Sequence, residues 1–217
     1  MRKKYKMTDE IIKVDGKTLK TLHRIEALID IPYARVKAGD RGGFIESEEN
    51  LSQEGNCWVG DDAQVFGDAQ VFEDALVSGD ARVFGGAQVY DNAEMYEDAQ
   101  VFSNACIHED AVVSGKAQVS GNAQVFGGAW VNDNAHIYGF AQVFGNAWVS
   151  GAAQVFRGAW VTDNAQVSDN AQVRDYAKVS GNTRVFGHAI VSGNVNVITD
   201  VGGRTKVHDN AQVHIGI

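Results

Sequence analysis

The chain has 217 residues and a net charge of −9, with 28 acidic side chains against 19 basic ones. That balance argues against a phosphate backbone as partner, and no run approaches the ~18 apolar residues of a membrane-spanning helix, so neither nucleic acid nor a membrane is expected. The apolar fraction of 44% is ordinary, but it is mostly Ala and Val, with Leu almost absent after position 76, which calls for a narrow and regular interior rather than a mixed core.

Residues 1–56 differ in kind from the rest, and a short N-terminal cap is expected there. They carry eleven Lys/Arg and ten Asp/Glu and are nearly neutral. The opening MRKKYKM is basic, but no apolar segment follows it, so no signal peptide is expected. KVDGKT at 13–18 predicts a hairpin turn at Asp15-Gly16. The apolar run IEALIDI at 25–31 is the segment suited to plug the open end of a repeat array, since a bare terminal coil is an exposed strand edge. Pro32 is the only proline, so every later residue can donate its N–H to a ladder.

From Ala63 to Ala177 every sixth residue is alanine, twenty times without a gap. Two residues later sits an aliphatic, a series that runs from Val59 to Val197 with Met95, Ile107 and Ile137 as the only variants. In A-x-V-x, Ala and Val share one face of a short strand. The next two positions are rich in Gly, Asp and Asn, the residues that tolerate positive φ in tight turns. A six-residue period does not match a helix. Three hexads therefore close a triangular coil of 18 residues, and residues i and i+18 stack about 4.8 Å apart as parallel strands. An all-β parallel β-helix of about eight or nine coils is expected over 57–217. The pattern breaks once, after Val197, so residues 198–204 (ITDVGGR) are expected to bulge as a loop.

The pairs Val65…Ala69 and Val71…Ala75 carry an aliphatic followed four residues later by a small residue. In this the array resembles the hexapeptide-repeat left-handed β-helix superfamily, and the left hand of the coil is implied by that resemblance. The stretch VKAGDRGGFIESEENLSQEGNCWV from Val36 to Val59 is similar to YdcK-like proteins, cytoplasmic or phage-associated chains that carry a transferase label. The superfamily includes acyltransferases, carbonic anhydrase-like enzymes and plain scaffolds, so the resemblance bears on fold more than on activity.

Eighteen-residue coils sort the outward residues into three faces. One carries Trp58, Leu76, Glu94, Val112, Trp130 and Trp148 beside a row of small groups interrupted by Tyr96, which suits close packing of another flat surface. Trp58, Leu76, Val112, Trp130 and Trp148 are the candidate interface of a homo-oligomer, a dimer or trimer, or of a contact with a protein partner; a sugar-stacking platform is a lesser reading. The other faces carry rows of Gln and of aromatic rings, for which in-register stacking of amides and rings is sufficient reason.

Acid gathers at the corners. Glu73 and Asp74, Asp91, and Glu109 and Asp110 fall at one corner of three successive coils, the oxygen-rich arrangement a hard cation would need. Tight corners select Asp and Asn in any case, and no metal or other cofactor is expected. Family acyltransferases use a histidine between subunits as general base; His136, His208 and His214 are the candidates here. His136 sits between Gln118 and Gln154 in a Gln row, and the long loop and C-terminal helix common in acyl-CoA-using relatives are missing. Cys57 and Cys106 point to opposite sides of the wall, which makes no disulfide framework and suits a reduced, cytoplasmic setting. The reading is a rigid, non-catalytic rod that presents flat faces to a partner or to itself. The alternatives are a transferase at a subunit interface and an acidic, phage-encoded rod that sequesters a host factor.

Overall fold

The alanine and aliphatic columns line the inside of a three-walled prism. In the computed structural model, which describes residues 3–14 and 19–208 and the backbone of Gln212–Val213, every Ala of the column from 63 to 177 is fully buried, and so are nearly all the aliphatics that follow them. The hairpin turn expected at Asp15-Gly16 and the candidate His214 lie outside the described residues. Each hexad contributes a strand of two to four residues, as in Gln64–Gly67, Gln70–Val71 and Leu76–Val77. Strands pair in parallel with the strand 18 residues on, Trp130 with Trp148 and Val131 with Val149 for example. The protein is an all-β parallel solenoid of about nine coils with about 18 residues per coil.

Three sheets form the walls. The tryptophan face has eight strands, from Trp58–Val59 to Arg184–Val185. The glutamine face has twelve and the third face nine, running from Gln70–Val71 to Gln212–Val213. Corners are turned by residues with positive φ. Many are glycines, but Asp61, Glu73, Asp91, Glu109, Asp133 and Arg157 hold φ between 51° and 62° with a side chain present.

The acidic corner residues gain something in return for that uncommon backbone. The carboxylate of Asp133 accepts the N–H of Gly151 one coil later at 2.9 Å, and Asp61, Glu97, Asp163 and Asp169 do the same for Gly79, Gly115, Gly181 and Gly187. Ionised acceptors make the stronger class of hydrogen bond. A second corner ladder joins amides: Asn146 to Asn164 and Asn164 to Asn182 at 3.3 and 3.1 Å. These amides meet because neighbouring side chains start from the same tight turn. The rings behave as expected. On the third face Phe72, Tyr90, His108, Phe126 and Phe144 stack in one ladder with centroids 4.8–5.0 Å apart.

The N-terminal cap is continuous with the glutamine face. An antiparallel hairpin of β1 (Tyr5–Val14) and β2 (Lys20–Ala27) pairs with β3 (Arg41–Ile45), and β3 pairs in parallel with the first hexad strand, Phe44 beside Gln64. Leu51 then bridges to Val71 on the third face, so stacking reaches back past the first recognisable hexad. Ile25, Ala27 and Ile31 of the apolar run are buried in the main core, covering the end. Two polar groups are buried with them. The Lys4 ammonium donates to the carbonyls of Glu54 and Cys57 at 3.1 and 2.9 Å. The Asn50 amide takes the N–H groups of Glu46 and Ser47 and donates to the carbonyls of Gly67 and Ala69.

The loop expected at 198–204 is not extruded. Val201 is buried and bridges to Val185, while Ile190 pairs with Lys206, 16 residues on. One side of this coil has lost two residues. The carboxylate of Asp200 accepts the Arg184 N–H at 2.8 Å, where the full-length coils offer a backbone carbonyl. Its side chain spans the missing length and keeps the ladder closed.

Candidate functional site

The outward row of the tryptophan face adds one residue per coil: Trp58, Leu76, Glu94, Val112, Trp130, Trp148, Gln166 and Arg184 are successive partners. The cap divides this row. After β2 the chain crosses to the tryptophan face and turns at Pro32–Arg35, where Arg35 has φ 58° and Ile31 and Val36 exchange backbone hydrogen bonds at 2.9 and 3.2 Å. Ala34 and Leu76 pack against the core cluster that contains Trp58 and Val36. Trp58 is consequently only 5% exposed. A Cβ on Gly42 would fall 2.5 Å from the Trp58 ring, so β3 lies directly on the indole.

Three of the five expected interface residues are therefore withdrawn. Trp58 is buried under the cap, Leu76 is half-buried beside it, and Val112 is buried at the floor of a shallow hollow between Tyr33, Glu94 and Trp130. Hydrophobic spacing could not reveal this, because the cap has no repeat from which to read its position. Trp130 and Trp148 remain bare, at 47% and 45% exposure. Their rings are tilted by 53° with centroids 6.4 Å apart, and the Trp148 indole N–H donates to the Asn132 side chain at 3.0 Å. That bond fixes one indole on the surface without burying it. The neighbouring row is small or half-buried, with Ser114 buried and Asn132 and Ser150 beside the indoles. The phenol of Tyr33, at the rim of the cap, has its pKa raised by partial burial and by the carboxylates of Glu94, Asp74 and Asp110.

The other candidate residues do not converge. Among the described residues no group of three or more His, Cys, Asp or Glu could hold a metal ion. The corner acids are engaged in the coil itself: Glu73 accepts the Asp91 N–H, Asp91 accepts the Glu109 N–H, Asp74 binds Asn56 and Asp110 binds the Asn92 amide. His136 stands on the glutamine face between Gln118 and Gln154, and His208 is exposed on the last described coil. His108 lies on the third face within the ring ladder, 3.8 Å from the Asp91 carboxylate. Cys57 is buried, and burial raises its thiol pKa in spite of the Lys4 ammonium beside it.

One cluster escaped the reading of the sequence. Phe140 and Tyr176 are 68% and 75% exposed at the corner between the glutamine and third faces, two coils apart with Gly158 between them. Arg157 pairs with Asp175 there, and that contact holds the Asp175 carboxyl below the usual carboxylate range. The signal was present as a breach of the Gly/Asp/Asn corner rule at 140, 157 and 176.

The dominant geometry is thus the coil and its repeating unit. Three stretches match the YdcK beta solenoid repeat. They are residues 75–91, 117–133 and 141–157. Each covers nearly one coil, so the likeness to the YdcK repeat is one of architecture. No curated protein matches the chain. Among the described residues no helix is long and apolar enough to cross a membrane.

Proposed function

We propose that this YdcK-like solenoid is a rigid, non-catalytic rod that acts by presenting its tryptophan face to a protein surface, a second copy of itself included. One observation carries the reading. Trp130 and Trp148 stand bare one coil apart on a flat wall, while the same row's Trp58 is already covered by the cap. Large exposed aromatic groups beside a smooth row are typical of the anchored centre of an interface. Burial of an indole on association removes on the order of 150–250 Å² from water. The absence of a shared disulfide partner for Cys57, which is buried, and Cys106, on another wall, suits a reducing, cytoplasmic compartment.

The test is the mass of the wild type and of a Trp130→Lys/Trp148→Lys variant by light scattering at micromolar concentration. The interior columns are untouched, so the variant folds. Association of the wild type and its loss in the variant support the reading. A wild-type monomer whose tryptophan fluorescence responds to no protein surface in a cell extract removes it.

A further inference from the structure

The geometry points to a second copy of this chain, lying antiparallel across the bare part of the tryptophan face, with the two-fold axis between the Trp130 and Trp148 coils. This rests on the self-association reading above and adds the partner's direction and register.

The bare part of the face is self-complementary about that point. Glu94 stands two coils before Trp130 and Arg184 two coils after Trp148, all in one row. Turning one rod end over end about an axis in the plane of the contact sets Trp130 against the copy's Trp148. The same operation sets Glu94 against the copy's Arg184, twice per dimer because a two-fold contact is isologous. Both are exposed, and among the described residues neither forms an ion pair within its own chain. The neighbouring row obeys the same symmetry. Tyr96 lies two coils before Asn132 and Phe186 two coils after Ser150, which brings ring to ring.

Two features disfavour the parallel alternative. Residues 57–110 carry twelve acidic side chains against one basic, whereas residues 111–217 carry seven basic against six acidic. Parallel rods would set the acid-rich coils together; antiparallel rods set them against the weakly basic half. The cap also stands proud of the face over Trp58 and Leu76. In the antiparallel register it lies opposite the short coil around Gly202, where the Phe186 ring packs, and clear of the copy's own cap. The six rows from Glu94 to Arg184 span roughly 24 Å at about 4.8 Å per coil, and six residues give a width of roughly 20 Å. That footprint is at the small end of specific interfaces, so a micromolar dimer is expected.

Sedimentation of the full chain across the micromolar range tests the register by charge reversal. Glu94→Arg and Arg184→Glu each create two like-charge contacts per dimer, and each raises the dissociation constant at least about tenfold. An equimolar mixture of the two variants restores opposite charges at both contacts and sediments as a 1:1 dimer, and the double variant Glu94→Arg/Arg184→Glu regains wild-type mass. Unchanged thermal melts show that each variant is folded. A wild-type dimer indifferent to the single reversals, or not restored by mixing, overturns the antiparallel register. If it is still broken by Trp130→Lys/Trp148→Lys, self-association through this face stands. A wild-type monomer throughout overturns both.

Discussion

Trp58 and Trp130 occupy the same outward row of the same face four coils apart, yet one is sealed beneath β3 and the Pro32 turn while the other faces solvent. The two positions are equivalent by repeat and opposite in energetics. Trp58→Ala should destabilise the fold by about 3–5 kcal/mol, the usual range for a buried large aromatic. Trp130→Ala should change it by no more than about 0.5 kcal/mol. Denaturant unfolding of both variants at a concentration where the chain is monomeric makes the comparison, and equal losses would mean that the cap does not cover Trp58.

The interior and the ring ladders make opposite demands on volume. Ala123 is fully buried in the inner column, and Ala123→Leu should cost about 1–3 kcal/mol by overpacking. Ser120 lies outside, at the one gap in a glutamine-face ring row between the stacked pairs Phe84–Phe102 and Tyr138–Phe156. Ser120→Phe should join the two halves and stabilise the fold by about 0.5–1.5 kcal/mol. Thermal melts should move in opposite directions; two variants that both lower the melting temperature would refute the outward stacking position of residue 120.

Glu73 shows how a corner responds to pH. Its carboxyl is raised above the ordinary value, chiefly by its hydrogen bond with Asp91 and further by the charges of Asp91 and Asp74. A folded pKa above the unfolded one means the proton is held more tightly in the fold. The stabilising contribution is complete below the unfolded value, near 4.5, and falls away as pH rises through the folded one. An NMR titration should find Glu73 above a reference Glu, and Asp91→Asn should bring it down. A Glu73 midpoint unmoved by Asp91→Asn would separate the two groups.

A non-catalytic rod should leave acetyl-CoA unconsumed. His136 is one member of a Gln row and His208 sits on the last described coil, so the structure does not bring these two candidate bases together. Mass spectrometry of a mixed acceptor pool incubated with acetyl-CoA should find no new acylated product. A product that disappears with His136→Ala or His208→Ala would make the chain a transferase.

The wall was legible because a strict six-residue period assigns every side chain to the inside, a face or a corner, and that assignment holds from Val59 to Val197. The cap was legible as a plug built on residues 25–31 but not in how it is fastened, since Lys4 and Asn50 reach carbonyls 53 and 17 positions away, and no local pattern encodes these. The same reason explains Trp58, whose burial depends on Gly42 and Ala34. At 198–204 the spacing of ten residues was correctly seen as a break but read as an insertion. The compensating group is the Asp200 carboxylate, which takes the place of a backbone acceptor, and a side chain acting for the main chain leaves no periodic trace.

Because each coil advances the wall by one fixed rung, distance along this molecule is counted rather than continuous. The cap and the bare indole pair are separated by a whole number of rungs, and so are Glu94 and Arg184 from the indoles. Excising eighteen residues between Glu94 and Trp130 would leave a closed wall with every inner column unbroken, yet it would slide one set of outward groups against the other by a single step. The rod would fold and melt as before while its two edges no longer agreed, as with a vernier whose scales have been offset by one division.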